Sequence, residues 1–427
     1  MTRASTADNP SVEGTREAVV DPHPWRLALW LGAALIVMSG LMAFWWAVTN
    51  AVPGSWMIPG DVWVSIPAAH YVADGALPSL YTPNHYPYTP GLPILLAPVA
   101  WIGWHWHLGE SIPLVLRRPT LWPLLAPYGI GVTTITALWA LRRLLVGLGR
   151  RAGAGAVQAA VAVVALVPLA VIYAHYEDVV ATAGLLLCAS LCVRRRWIPA
   201  AIALSVAILF KQWALLAVPV VAIWAPPRMR VRVVWYSVLL PGALVALCLA
   251  LDWSNASVAL TSARATPHLG HHQLWVTDTG GLILGAPLRV GSFVLAALVA
   301  WWLRNTRDPV VMPAAFGTVL VGRLLFEPTL FSYYLAPSLT FVLVVAFVGA
   351  PPGNRRWLVS AGLALALDLW FAVHPPLLVW WVVALALAVA VYGPIVRIVW
   401  NRRSADPTPH EPEPPGARAE PLEGAPL

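Results

Sequence analysis

A small set of residues carries types that could do chemistry. Asp61 follows the first long apolar run closely, where an acid is not needed for solubility alone. Its carboxylate could take a proton from a hydroxyl as a general base. It could equally be a solvated loop acid, or the N-cap of a short helix over 61–74. Glu177 and Asp178, in His175-Tyr176-Glu177-Asp178, form an acidic pair at the start of an apolar run. Such a pair could accept hydrogen bonds from hydroxyls, hold a divalent cation, or cap a helix starting near 179. Lys211 is the only lysine among 27 basic residues. Its compact ammonium could meet a phosphate, or it could snorkel from a helix end. Arg117 and Arg118 offer the same two readings, phosphate partner or lipid-headgroup partner. His268, His271 and His272 make an H-x-x-H-H pattern, but a zinc site needs a more complete ligand set, so no metal is expected. Glu327 before Pro328 and His374 before Pro375 read as caps or pocket walls.

The elements that must position these residues are membrane helices. The chain has 427 residues, 59% hydrophobic and 11% charged, against roughly a quarter charged in ordinary soluble proteins. So few charges cannot cover a water-soluble globule of this length. A cytosolic enzyme, a disulfide-stapled secreted domain and a disordered chain are all excluded. The formal charge of +8 does not point to nucleic acid, because the arginines lie in short clusters between apolar runs. Cys188, Cys192 and Cys248 fall inside apolar runs and read as small hydrophobes. The 24 tryptophans suit aromatic belts at both membrane interfaces.

Apolar segments at 26–48, 121–141, 155–174, 179–193, 197–210, 213–225, 233–251, 282–303, 309–326, 329–349, 357–373 and 377–400 predict about twelve spans. Arginine clusters at 142–151, 194–196, 228–232, 304–307, 355–356 and 402–403 separate them. If all face the cytoplasm, an even number of crossings lies between each pair. Two consequences follow. The stretch 197–225 becomes a pair of short helices meeting around Lys211-Gln212. Residues 91–107, apolar but holding Pro93, Pro98, Trp101, Trp104 and Trp106, become an interfacial or re-entrant helix. Residues 1–25 are then a cytoplasmic N-terminal segment, 26–403 the transmembrane domain with a first external loop over 49–120, and 404–427 a disordered cytoplasmic tail. Both termini face the cytoplasm. The acids, most histidines and Lys211 collect at the external side.

An ordered series of motifs carries a resemblance. Asp61, Ala68-Ala69-His70-Tyr71-Val72-Ala73-Asp74-Gly75, Leu80-Tyr81 and His85-Tyr86-Pro87-Tyr88-Thr89-Pro90 before an apolar helix resemble the GT-C glycosyltransferases. Among these, the chain is most similar to polyprenol-phosphate-mannose-dependent mannosyltransferases such as the actinobacterial phosphatidylinositol mannosyltransferases. The likeness continues through His175-Tyr176-Glu177-Asp178 and Lys211-Gln212-Trp213 to Pro219, covering residues 55–225. Later it holds only in hydropathy, with Glu327-Pro328 and Tyr333-Tyr334.

The resemblance implies an all-α polytopic membrane protein of GT-C type in a bacterial plasma membrane. It implies transfer of a sugar, mannose in the nearest likeness, from a polyprenyl-phosphate donor to an envelope glycolipid or glycan. Asp61 is then the expected base. Lys211, Arg117 and Arg118 are expected at the donor phosphate, and His85, Tyr88, His175, Glu177, Asp178 and Glu327 at the substrates. No cofactor is expected, since no glycine-rich phosphate loop is present. A transporter or flippase of lipid-linked sugars is the competing expectation. It predicts charges spread through midplane spans and two repeated halves; Asp368 and Arg323 are the clearest such charges, and no repeat is evident.

Overall fold

The computed structural model describes residues 25–49, 60–81, 89–106, 122–261, 271–272, 285–306, 308–327, 329–351, 353–373 and 375–404. His85, Tyr88, Arg117, Arg118, His268 and His374 lie outside the described residues, as do 1–24 and 405–427. The described chain is a helical bundle, with one two-residue strand pair. Its elements are α1 (Arg26–Thr49), α2 (Gly60–Ala73), α3 (Gly91–His105), α4 (Ala126–Gly147), α5 (Ala154–Ile172), α6 (Tyr176–Val193), α7 (Trp197–Phe210) and α8 (Gln212–Trp224). There follow α9 (Pro227–Leu251), α10 (Trp253–Thr261), α11 (Gly285–Trp302), α12 (Val311–Phe326), α13 (Ala336–Gly349), α14 (Trp357–Phe371) and α15 (Leu377–Ser404).

Six of these, α1, α4, α5, α6, α9 and α15, are long and apolar enough to cross a membrane. The apolar stretches of the others in the expected series are shorter, Val290–Trp302 within α11 among them. Helix α3, which was not expected to span, has 15 residues and a length of about 22 Å, less than the ~30 Å hydrocarbon core. Its Leu92, Leu96, Val99, Ala100 and Gly103 are buried, while Trp101, Trp104 and Trp106 are exposed. Helices α4 and α5 contain π-helical stretches, Ala126–Val132 and Ala162–Ile172, each with a proline (Pro127, Pro168) that lacks the amide needed for regular α-helical bonding.

The centre of the bundle is α6, whose residues are almost all buried. It packs closely on α4 and α7. Small residues permit this approach. A Cβ on Gly184 would stand 2.9 Å from Ala207 Cβ and 3.0 Å from the Ala203 carbonyl oxygen.

The bundle has two chemically different ends. At one, Arg150 donates to the carbonyls of Val348 and Ala350, Arg194 to that of Arg143, and Arg143 lies over the Trp139 ring. Trp25 stacks on Trp139, and Trp302 meets Trp400, so the arginine-rich turns gather together. The other end holds α2, α3, the Lys211 break, the outer turn of α12 and the strand pair. That pair is antiparallel, His271 opposite Leu330 and His272 opposite Thr329.

Candidate functional site

The acidic pair sits in the first turn of α6, which begins at Tyr176, three residues earlier than the expected start near 179. His175 occupies the N-cap position but makes no side-chain cap bond. Capping is therefore not what Glu177 and Asp178 do. Their partners come from elsewhere in the chain, though the helix N-terminus still favours their charge.

Lys211 Nζ lies 2.9 Å from Glu177 Oε1 and 2.9 Å from Asp178 Oδ2. The lysine side chain is 14% exposed, Glu177 is fully buried and Asp178 is 5% exposed. This is a buried ion pair rather than a snorkelling residue. His175 Nδ1 adds contacts of 3.0 Å to Glu177 Oε1 and 3.3 Å to Asp178 Oδ2. Since both neighbours accept, Nδ1 is the nitrogen that carries a proton. Trp213 Nε1 donates to Asp178 Oδ1 at 2.8 Å. Glu177 Oε2, by contrast, is buried with no hydrogen-bond partner among the described residues. An incoming hydroxyl or N–H would satisfy it.

The charges explain the arrangement. Two carboxylates face one ammonium, so the trio carries one excess negative charge while His175 is neutral. His175, Glu177 and Asp178 also present ligand atoms within 4.8 Å of one another, a spacing that could hold a metal ion. The ammonium already rests on the same carboxylate oxygens, however. A dication would have to displace it, because like charges at this separation repel strongly in a buried setting.

Lys211 reaches this position because the helix breaks there. Helix α7 ends at Phe210, Lys211 is extended (φ −146°, ψ 122°), and a 3₁₀ turn over Gln212–Ala217 starts α8. The expected meeting of two short helices at Lys211-Gln212 is what the chain does.

The first loop docks on that break. Thr89 Oγ1 donates to the Phe210 carbonyl at 2.8 Å, filling one of the acceptors a helix end leaves open. A Cβ on Gly91 would stand 2.6 Å from the Leu209 carbonyl oxygen and 2.8 Å from Phe210 Cα, so only glycine permits this contact. Helices α2 and α3 pack along their length, and His70 meets Trp104 edge-on (centroids 5.6 Å apart) near the C-terminal end of each. They therefore run in the same direction. The first turn of α2, which contains the Asp61 backbone, lies at the Gly91 end of the pair. Asp61 is the second residue of α2 rather than its N-cap. Tyr81 and Leu80 join Ala68 in a small buried cluster with Cys248 and Ala256, fastening the loop to α9 and α10.

An aromatic wall flanks the acidic pair. His175 stacks on Tyr333 with centroids 4.0 Å apart, and Tyr333 meets Tyr173, Tyr334 and Phe331 at 4.9, 4.9 and 5.3 Å. Arg323, at the end of α12, lies 5.4 Å from the Trp213 ring and 5.2 Å from the Tyr334 ring. Its Nε is 3.3 Å from Glu327 Oε1.

Of the residues expected at the site, the structure thus brings together His175, Glu177, Asp178 and Lys211, and it sets Glu327 beside Arg323. Trp213 was visible in sequence only as the neighbour of Lys211-Gln212, and Tyr333-Tyr334 only as a late aromatic pair. Arg323 was visible only as a charge inside an apolar run. That anomaly was the one signal of its place here. Comparison of the chain with protein-family models, with curated proteins and with solved structures finds no match.

Proposed function

We propose that this protein is a membrane glycosyltransferase that moves a sugar, mannose in the simplest form of the proposal, from a polyprenyl-phosphate donor to an envelope glycolipid or glycan. The arginine-bearing end of the bundle faces the cytoplasm, the chain crosses the plasma membrane about twelve times in a GT-C-like arrangement, and transfer occurs at the opposite, external end. The observation that carries this reading is the docking of Thr89 and Gly91 on the Phe210–Lys211 break. It joins the loop motif containing Asp61 to the acidic pair far along the chain.

Asp61 acts as the general base. The acceptor hydroxyl oxygen attacks the anomeric carbon, its proton passes to the Asp61 carboxylate, and the bond from that carbon to the phosphate oxygen breaks. The bonding electrons leave with the polyprenyl phosphate, and the anomeric configuration inverts. Glu177, with its open oxygen, and His175 serve as hydroxyl partners. Lys211 holds the acidic pair in register, and its engagement with both carboxylates leaves much of the phosphate's counter-charge to other cations. His85, Tyr88, Arg117 and Arg118 belong to the same loop and take substrate roles in this reading.

The test is sugar transfer from polyprenyl-phosphate sugars in membranes containing wild type, Asp61→Ala or Asp61→Asn. Loss of two or more orders of magnitude is expected, within the range for removing a general base. Normal transfer by well-expressed Asp61 variants sinks the mechanism. A second reading, a transporter or flippase of lipid-linked sugars, is favoured by one observation: a buried, ionisable cluster at a broken helix. Movement of lipid-linked sugar across vesicles without transfer would select it.

A further inference from the structure

Arg323 is almost wholly buried, with 6% of its side chain exposed. A buried guanidinium normally fills its five donors with acceptors, because an unpaired buried charge is costly. Here the pairing is incomplete. Glu327 is the only carboxylate within ion-pair distance of it among the described residues, and it is met through Nε at 3.3 Å, in a geometry that leaves Nε without a hydrogen bond. Neither terminal amino group has an acceptor among the described residues. Its other contacts are the rings of Trp213 and Tyr334, which attract the cation without filling an N–H donor. Trp213, whose ring lies against Arg323, has its indole N–H held by Asp178. Glu177 and Asp178 make their ion pairs with Lys211 and His175, and among the described residues neither forms one with Arg323.

The geometry points to Arg323 as the core of a buried anion subsite that takes the phosphate group of a phosphate ester through its planar N–H edge. A guanidinium suits that task, because two parallel N–H bonds match two phosphate oxygens. Trp213 and Tyr334 hold it in place, and Glu327, with its side chain 34% exposed, is the carboxylate the phosphate displaces or pushes toward solvent. The subsite lies at the same end as the acidic pair. Its assignment to the donor's leaving phosphate rests on the transferase reading, whereas phosphate binding itself does not.

The experiment measures binding to the purified full chain in neutral phosphatidylcholine nanodiscs, with no transfer reaction required. The probes are inorganic phosphate, a short-chain polyprenyl phosphate, and phosphatidylglycerol added to the disc. Wild type should bind polyprenyl phosphate, and Arg323→Gln should weaken it by about tenfold or more, as expected for loss of charge-assisted hydrogen bonds. Arg323→Lys, which keeps the charge and guards against a folding defect, should fall between them. Glu327→Gln should strengthen binding severalfold, whereas a purely structural Arg323–Glu327 pair predicts no change in affinity. Arg323-dependent binding of phosphatidylglycerol alone keeps the anion subsite but assigns it to a lipid headgroup, overturning the donor assignment. Equal affinity of wild type, Arg323→Gln and Arg323→Lys for all probes overturns the subsite, as does no binding by wild type. Arg323-dependent binding without any sugar transfer by wild type would leave the subsite standing and remove the transferase reading.

Discussion

Replacing Lys211 with methionine keeps most of the side-chain bulk and removes the one ammonium that two buried carboxylates share. Asp178 retains the 2.8 Å bond from Trp213, and both acids retain His175 Nδ1. Among the described residues Glu177 then keeps only the His175 contact, and its second oxygen already has no partner. Breaking a buried ion pair by deleting one member costs about 3–5 kcal/mol, because the other charge remains without its partner. With the lysine 14% exposed and Glu177 fully buried, solvent screening relieves little of this. Lys211→Met should therefore destabilise the bundle by about 3–5 kcal/mol. Adding Glu177→Gln should recover roughly 2 kcal/mol, a coupling within the range for residues in direct contact. The assay is denaturant unfolding of the full chain in bicelles, followed by far-UV circular dichroism for wild type, both single variants and the double. A loss below about 1 kcal/mol for Lys211→Met, or a double variant no more stable than Lys211→Met, refutes the argument that this ammonium balances the buried pair.

Other consequences follow from the same contacts. Gly91→Ala forces a methyl group against the backbone of Leu209 and Phe210 and should cost about 1–3 kcal/mol, as overpacking does. Limited proteolysis of the first loop should then accelerate; an unchanged digestion pattern would contradict the close docking. Trp213→Phe keeps a ring beside Arg323 but deletes the donor to Asp178, with an expected loss of about 1.5–3 kcal/mol in the same unfolding assay. His70 offers a pH test. Burial pushes its imidazole below the ordinary 6.5, and the charge of Asp74 only partly opposes this. The fold therefore favours neutral His70, so this contribution to stability is present above pH 6.5 and is lost as pH falls below it toward the lowered folded value. Amide exchange in residues 60–73, corrected for intrinsic rates, should rise between pH 7.5 and 5.5, and His70→Gln should remove that dependence.

Much of the fold was legible in sequence, for reasons that are local. Apolar runs of membrane length mark helices wherever they occur, and the arginine clusters between them mark one end of the bundle. The break at Lys211 was readable because one charge interrupts a run too short for two full spans. Helix α3 itself was readable as an apolar segment, with its tryptophans on the exposed side of the helix. Less legible were the lengths. Among the described residues only six helices reach spanning length and hydropathy, because helices such as α7 and α8 are short pieces on either side of Lys211, ending at Phe210 and at Trp224 before Pro226.

By itself, the sequence determined that this is a helical protein with a membrane-like composition, and which residue types lie at each end. Those properties depend on composition and on order along a single element. Only the tertiary structure decided the pairing of charges. Lys211 read alone is a cation available to any anion, but packing sets it against Glu177 and Asp178, 34 and 33 positions earlier in the chain. Arg323 read alone is an expensive anomaly in an apolar helix, but the same packing leaves it beside Trp213 and Tyr334 with its N–H edge unfilled. Electrostatic partners are set by distances of a few ångströms in a medium that screens weakly, and such distances between elements are not written in the order of residues along any one of them.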